Sequence, residues 1–143
     1  MTQVDFYILQ NAQIANTEQF TCLLAEKAFK KGHTVHIQTN NAQQTERMDK
    51  LMWTYNDMSF LPHVMMGDVL QEDTPIHISH NSESASITDV LINLRSEVPM
   101  FYEQFNRVAE IVSADPQQRQ LARQRYRQYK TQGLEVTSHD VNR

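Results

Sequence analysis

Apolar strand runs alternating with amphipathic helices predict an α/β protein, a three-layer α/β/α sandwich built on a mostly parallel sheet. Three observations carry that expectation. The 143 residues suit one domain with a sizeable core, so 1–143 reads as a single unit. Phe6-Tyr7-Ile8-Leu9 is a short unbroken apolar run, as expected of a strand covered on both faces. Helical stretches rather than hairpin turns then separate one strand candidate from the next, a βαβα beginning.

Each element has its own justification. Thr17 is placed to cap a helix reaching Lys31, with Phe20, Leu23, Leu24, Lys27 and Ala28 on one mostly apolar face and Gly32 as its stop. Residues 34–38 read as the second strand. Asn40 or Asn41 caps the following helix, where Met48, Leu51, Met52 and Tyr55 follow the i, i+3, i+4, i+7 spacing. Further strands are expected at 76–78, 90–93 and 108–112, with a Pro99-bounded segment around 101–105. Residues 68–87 are polar, with 79–86 especially poor in apolar side chains, and read as a long surface connection.

The last helix is the most informative. Asp115 can cap it, Pro116 suits its first position, Gln118 sits where a capping-box partner belongs, and Gly133 is a natural stop. Arg119, Arg123, Arg125, Arg127 and Lys130 share it with Tyr126 and Tyr129 and no carboxylate. Arg119, Arg123, Tyr126, Arg127 and Lys130 fall within an arc of about 100°. A solvated helix usually interleaves Glu with Lys or Arg at i,i+4, and none is interleaved here. Arg125 falls between the directions of Tyr129 and Leu121, so it is expected to be covered and paired with a carboxylate, in a structural role.

Charge points the same way. Residues 1–115 carry 15 acidic and 7 basic side chains, net −8, and residues 116–143 carry 2 and 6, net +4. An acidic body with a basic end is poorly suited to coat a long polyanion, so little direct nucleic-acid binding is expected. A short acidic peptide can meet the basic patch alone.

Other chemistries lack carriers. The segment 10–16 after the first strand holds no glycine, and neither G-x-G-x-x-G nor a Walker A sequence occurs, so no phosphate-binding loop and no nucleotide cofactor are expected. The six histidines form no metal-binding pattern, and there is no G-x-S-x-G or carboxylate cluster, so neither a metal nor a catalytic residue is assigned. The single Cys22 lies in an apolar-periodic segment and reads as a core thiol in a reducing compartment. No run approaches the ~18 apolar residues of a membrane span, and the N-terminus lacks a signal-peptide pattern, which gives the expectation of a cytoplasmic protein with no membrane partner.

The stretch 53–66, W-T-Y-N-D-M-S-F-L-P-H-V-M-M, is read as long, irregular and rich in the residue types of interface cores. Leu61, Val64 and Met65 can fold back as core. Trp53 and Phe60, beside Pro62, are expected to form a binding surface.

Four blocks in order resemble the chi subunit family of bacterial DNA polymerase III holoenzyme. They are Phe6-Tyr7-x-Leu9; Leu51-x-Trp53 with Ser59-Phe60-x-Pro62-His63; Asp89-Val90-Leu91-Ile92-Asn93-Leu94; and Leu121-Ala122-Arg123-x-Arg125-Tyr126-x-x-Tyr129-Lys130-x-x-Gly133. The resemblance covers nearly the whole chain. It implies a Rossmann-like fold that has lost nucleotide binding, and a non-catalytic accessory of the clamp loader. It also implies two partners, the acidic C-terminal tail of single-stranded-DNA-binding protein and the psi subunit, which tethers chi to the clamp loader. By resemblance Arg123, Tyr126 and Arg127 match the tail site, Val112 adds to its apolar wall, and Arg119 and Lys130 extend the basic rim. Trp53, Phe60, Pro62 and His63 match the psi surface, which family members also offer to a DNA-repair helicase. On the residues alone two other classes stay open: a single-stranded nucleic-acid binder using the basic helix, and a small Rossmann-type enzyme.

Overall fold

In the computed structural model, residues 2–54, 63–65, 75–81, 85 and 87–141 are described. They form a seven-stranded sheet in the order β3-β4-β2-β5-β6-β1-β7, and every pairing between neighbours is parallel. The strands are β1 (Gln3–Leu9), β2 (Val35–Gln38), β3 (His63–Met65), β4 (Ile76–Ser79), β5 (Val90–Asn93), β6 (Arg107–Val112) and β7 (Glu135–Val141), and the helices are α1 (Ile14–Lys30), α2 (Ala42–Thr54) and α3 (Pro116–Thr131). A short 3-10 turn spans Tyr102–Gln104 between β5 and β6.

The sheet separates two cores. On one face α1 and α2 bury Phe20, Cys22, Ala25, Met48 and Met52 against Leu9, Ile37, Ile78 and Ile92. On the other, α3 and the 3-10 turn bury Ala122, Tyr129 and Tyr102 against Phe6, Leu91 and Val108. The three-layer sandwich expected from the alternating elements, Rossmann-like as the family resemblance implies, is the observed fold. Cys22 is fully covered, and burial pushes its thiol up to about 12, so at neutral pH it is an inert core group.

Helix ends explain where sequence and structure agree and part. Asn41 caps α2, its Oδ1 accepting from the Gln44 amide at 2.9 Å. Asp115 caps α3 by accepting from Gln118 N at 3.0 Å, with Pro116 at the first position. Gly133 then adopts φ 81°, a left-handed conformation that suits glycine, and the Leu134 amide turns back to the Tyr129 carbonyl at 3.3 Å. For α1, by contrast, Thr17 is not the cap. The Asn11 side chain accepts from Gln13 N at 2.8 Å and turns the chain into a helix that begins at Ile14, leaving Thr17 inside it.

Two strands escape a reading by apolar pattern. β7 offers only Val136 and Val141 as aliphatic side chains among seven residues, and β3 is three residues long. The stretch 53–66 is correspondingly less irregular than expected. Trp53 and Thr54 belong to α2 and His63–Met65 to β3, whereas Phe60, Leu61 and Pro62 lie outside the described residues, as do Tyr55 and all of 68–74.

His36 on β2 is a buried titratable group with a consequence for stability. It is 0% exposed, edge-on to Phe101, and its Nε2 lies 2.9 Å from Gln38 Oε1; since that oxygen accepts, Nε2 donates and Nδ1 stays bare. Burial drives the imidazole down from 6.5 to about 4. The unfolded chain takes up a proton below the higher value and the folded chain only near the lower, so stability falls as pH falls through that window. Urea titrations should show a loss of about 2 kcal/mol between about pH 7 and about pH 5, and His36→Gln should flatten that slope.

Candidate functional site

The register of three strands prepares a groove beside α3. β1 pairs with β6 so that Ile8 lies next to Val112, and with β7 so that Phe6 lies next to Ser138. These side chains share the α3 side of the sheet because residues alternate along a strand. With Ala122, Tyr126, Arg119 and Arg123 from α3 they line a groove of ≈ 280 Å³. It is apolar at its floor, where the Tyr126 ring packs on Phe6 with centroids 5.4 Å apart, and cationic at its margin.

Of the residues assigned to this surface from the sequence, Val112, Arg119, Arg123 and Tyr126 come together around the groove. Arg123 is exposed on its rim. Arg119 is more constrained than a rim cation: its Nη2 donates to the Leu9 carbonyl at 3.1 Å and its Nε to the Ser113 carbonyl at 3.4 Å. Arg127 is exposed on α3 but does not line the groove, and Lys130 meets it indirectly, with Nζ 5.9 Å from the Tyr126 ring centroid. Phe6, Ile8, Ala122 and Ser138 are groove residues missed in the sequence reading. The two-residue period of β1 signals the first pair, whereas Ser138 depends on β7.

Behind the groove α3 is bolted to the sheet. Arg125, 4% exposed, donates from Nε to Glu110 Oε1 at 2.9 Å and from Nη1 to the Ser96 carbonyl at 3.0 Å. Glu110, 0% exposed, also accepts from Tyr129 Oη at 2.6 Å and from Asn93 Nδ2 at 2.9 Å. Burial pushes the Glu110 carboxyl above the usual range, and Arg125, Tyr129 and Asn93 each pull it back. Burial and the neighbouring carboxylate push the Tyr129 hydroxyl well up, which keeps it a donor. This network fixes the rotation of α3, and hence where Arg123 and Tyr126 stand.

In open parallel sheets, ligands sit outside the carboxyl ends of adjacent strands whose connections leave toward opposite faces. At two such places among the described residues the chain's own groups stitch the strand ends. Between β1 and β6, the Ala114 amide donates to the Asn11 carbonyl at 3.0 Å and Arg119 binds both strand ends. Between β2 and β5, Asn40 Nδ2 donates to the Leu94 carbonyl at 2.9 Å and Asn40 Oδ1 accepts from Ser96 N at 3.2 Å. Among the described residues no group of three His, Cys, Asp or Glu side chains could hold a metal, and no helix is long and apolar enough to cross a membrane.

The second surface is only partly described. Trp53 is 57% exposed at the end of α2, with its ring 4.8 Å from that of His63. The His63 side chain is covered, and its Nε2 lies 3.2 Å from both the carbonyl oxygen and Oδ1 of Asp49. It therefore supports Trp53 from beneath. Phe60 and Pro62 lie outside the described residues.

Comparison with known proteins identifies the lineage. The family model described as DNA polymerase III chi subunit, HolC, matches residues 1–137. DNA polymerase III subunit chi of Pseudomonas aeruginosa is 34% identical over 143 residues, covering 100% of this chain and 99% of that protein. The Haemophilus influenzae subunit is 31% identical over 137 residues, covering 95% of each chain. The Escherichia coli subunit is 29% identical over 143 residues, covering 96% of this chain and 97% of that protein. Among solved structures, that of T4 UvsW superposes with a TM-score of 0.73 over 99% of this chain and 42% of its own, at 9% identity, a likeness of fold alone. The chain thus belongs to the DNA polymerase III chi subunit family, whose members are non-catalytic accessory subunits of a DNA-replicating enzyme.

Proposed function

We propose that this chi subunit holds the acidic C-terminal tail of single-stranded-DNA-binding protein in the α3 groove and links it to the clamp loader through a psi subunit at the Trp53 surface. The observation that carries the reading is the groove itself, an apolar floor rimmed by Arg119 and Arg123 on a protein of net charge −4. At ≈ 280 Å³ it falls just below the ~300–1,000 Å³ of typical small-molecule sites and suits one aromatic side chain. A tail ending in Phe with a free carboxylate would place its ring over Phe6, Ile8 and Val112, its carboxylate on Arg123, and its upstream acids on Arg127 and Lys130.

Arg123→Ala is expected to weaken tail binding by roughly 1–3 kcal/mol, because it removes a charge-assisted hydrogen bond. The fold should survive, since the side chain is exposed. Tyr126→Ala should cost a similar amount by opening the slot, and wild-type affinity should fall as salt rises. Pull-down from the organism's own lysate tests the assignment: wild-type protein should recover single-stranded-DNA-binding protein and clamp-loader subunits, and Arg123→Ala only the latter. Loss of both with Arg123→Ala, or of neither, would overturn the division into two surfaces.

The Trp53 surface is tested separately. Trp53→Ala should leave stability within ~1 kcal/mol, because the ring is largely exposed, and weaken psi or helicase binding by ~2 kcal/mol or more, as central aromatic anchors do. A melt showing several kcal/mol of destabilisation with unchanged partner binding would make Trp53 a structural residue instead.

A further inference from the structure

A second groove opens on the other face of the same strand. Phe6 and Ile8 of β1 face α3, so Asp5 and Tyr7 face α1. On that side α1 makes its main contacts with β6, β2 and β5, and α2 with β3 and β4, so the helices cover the β1–β7 end of the sheet less closely, with Phe20 of α1 reaching Tyr7 at 5.5 Å between ring centroids. The result is a groove of ≈ 270 Å³ between α1 and the sheet. Tyr7, Phe20, Leu24 and Ala109 give it an apolar floor, and Lys27, Lys31 and Arg107 stand at its margin.

Its ionic state is cationic. Asp5 is the one carboxylate in the lining, and it is held by Arg107 Nη2 at 3.0 Å and by His139 Nε2 at 2.9 Å. His33 is engaged by Asp89 at 3.0 Å. Lys30 pairs with Glu26 at 3.6 Å, whereas Lys27 and Lys31 make no ion pair among the described residues. Cations in the last turn of a helix suit the negative end of its dipole, which accounts for lysines at these positions but not for an open apolar floor beneath two of them.

We propose that this groove docks a short acidic peptide segment of a partner protein, with an apolar side chain on the Tyr7, Phe20 and Leu24 floor and carboxylates on Lys27, Lys31 and Arg107. Charge decides between a peptide and nucleic acid. Residues 1–115, which contain the groove, carry net −8, so a long polyanion is repelled by the rest of the body while a short segment meets only the cationic rim. The site shares no residue with the α3 groove, and its occupancy is independent of the tail reading.

Nitrogen-15-labelled protein titrated with a short, C-terminally amidated peptide of aspartates around a central Phe-Leu pair tests this. Amide shifts should gather at Tyr7, Leu24, Lys27 and Arg107. The double change Lys27→Glu and Lys31→Glu should weaken binding roughly tenfold or more, through loss of two charge-assisted contacts, while the melting temperature falls by only a few degrees as the helix end loses its favourable charges. The double change to Arg should bind like wild type. Shifts confined to the surroundings of Arg123 and Tyr126, an affinity untouched by the charge reversal, or shifts produced by a thymidine oligonucleotide and not by the peptide would each overturn the proposal.

Discussion

Glu110→Ala should destabilise the fold by about 3–5 kcal/mol, the largest single-residue effect expected here. The carboxylate is fully buried and accepts from Arg125, Tyr129 and Asn93 at once. Removing it strands a guanidinium that is 4% exposed and keeps, among the described residues, the Ser96 carbonyl as its one remaining hydrogen-bond partner, and it takes the acceptor from the Tyr129 hydroxyl. Against a typical domain stability of ~5–15 kcal/mol, that loss is serious. Changing both partners to apolar residues, Glu110→Leu with Arg125→Met, should recover part of it, because no buried charge is then left unpaired, although Tyr129 still loses its acceptor while Asn93 keeps the Glu97 carbonyl at 3.2 Å. Urea unfolding of the two variants measures this. A Glu110→Ala protein within about 1 kcal/mol of wild type would mean that the network does not anchor α3.

That anchor links fold and function. Arg125 and Tyr129 face inward on the same helix that presents Arg123 and Tyr126 outward, so the buried pair sets the position of the exposed one. A variant that loosens the network without unfolding the chain should also lose groove affinity while keeping every groove residue.

Much of this was legible in the sequence for identifiable reasons. The ends of α3 were written in residues with one physical job each, Asp115 as acceptor, Pro116 at the first position and Gly133 where φ is positive. Arg125 could be separated from its neighbours because a helix wheel turns spacing into direction. β7 was not legible, because pairing with β1 lets a polar strand form where sequence pattern alone shows no alternation. Its loss hid Ser138 and, on the opposite face, His139, which stacks on Tyr7 at 5.0 Å. Thr17 misled because a cap residue is recognised by type, while the Asn11 turn that starts α1 depends on backbone placement. His63 reads as an interface residue in the sequence, and only the structure shows it covered and bonded to Asp49. The sequence puts Phe20, Leu24 and Lys27 on one face of α1 but does not mark a groove there, since Lys27 and Arg107 are separated along the chain and meet only after the sheet forms.

The central claim is that the α3 groove recognises an apolar chain end bearing a carboxylate, and not negative charge in general. Titration calorimetry with a single-stranded-DNA-binding protein tail peptide, and with the same peptide lacking only its last Phe, tests it most directly. Burial of a Phe side chain contributes ~1.5–3 kcal/mol, and misplacing the terminal carboxylate from Arg123 forfeits a charge-assisted contact as well. The truncated peptide should therefore bind at least about 100-fold more weakly, roughly 3 kcal/mol, with every Asp retained. Equal affinity for the two peptides would contradict the account and make α3 a generic anion patch.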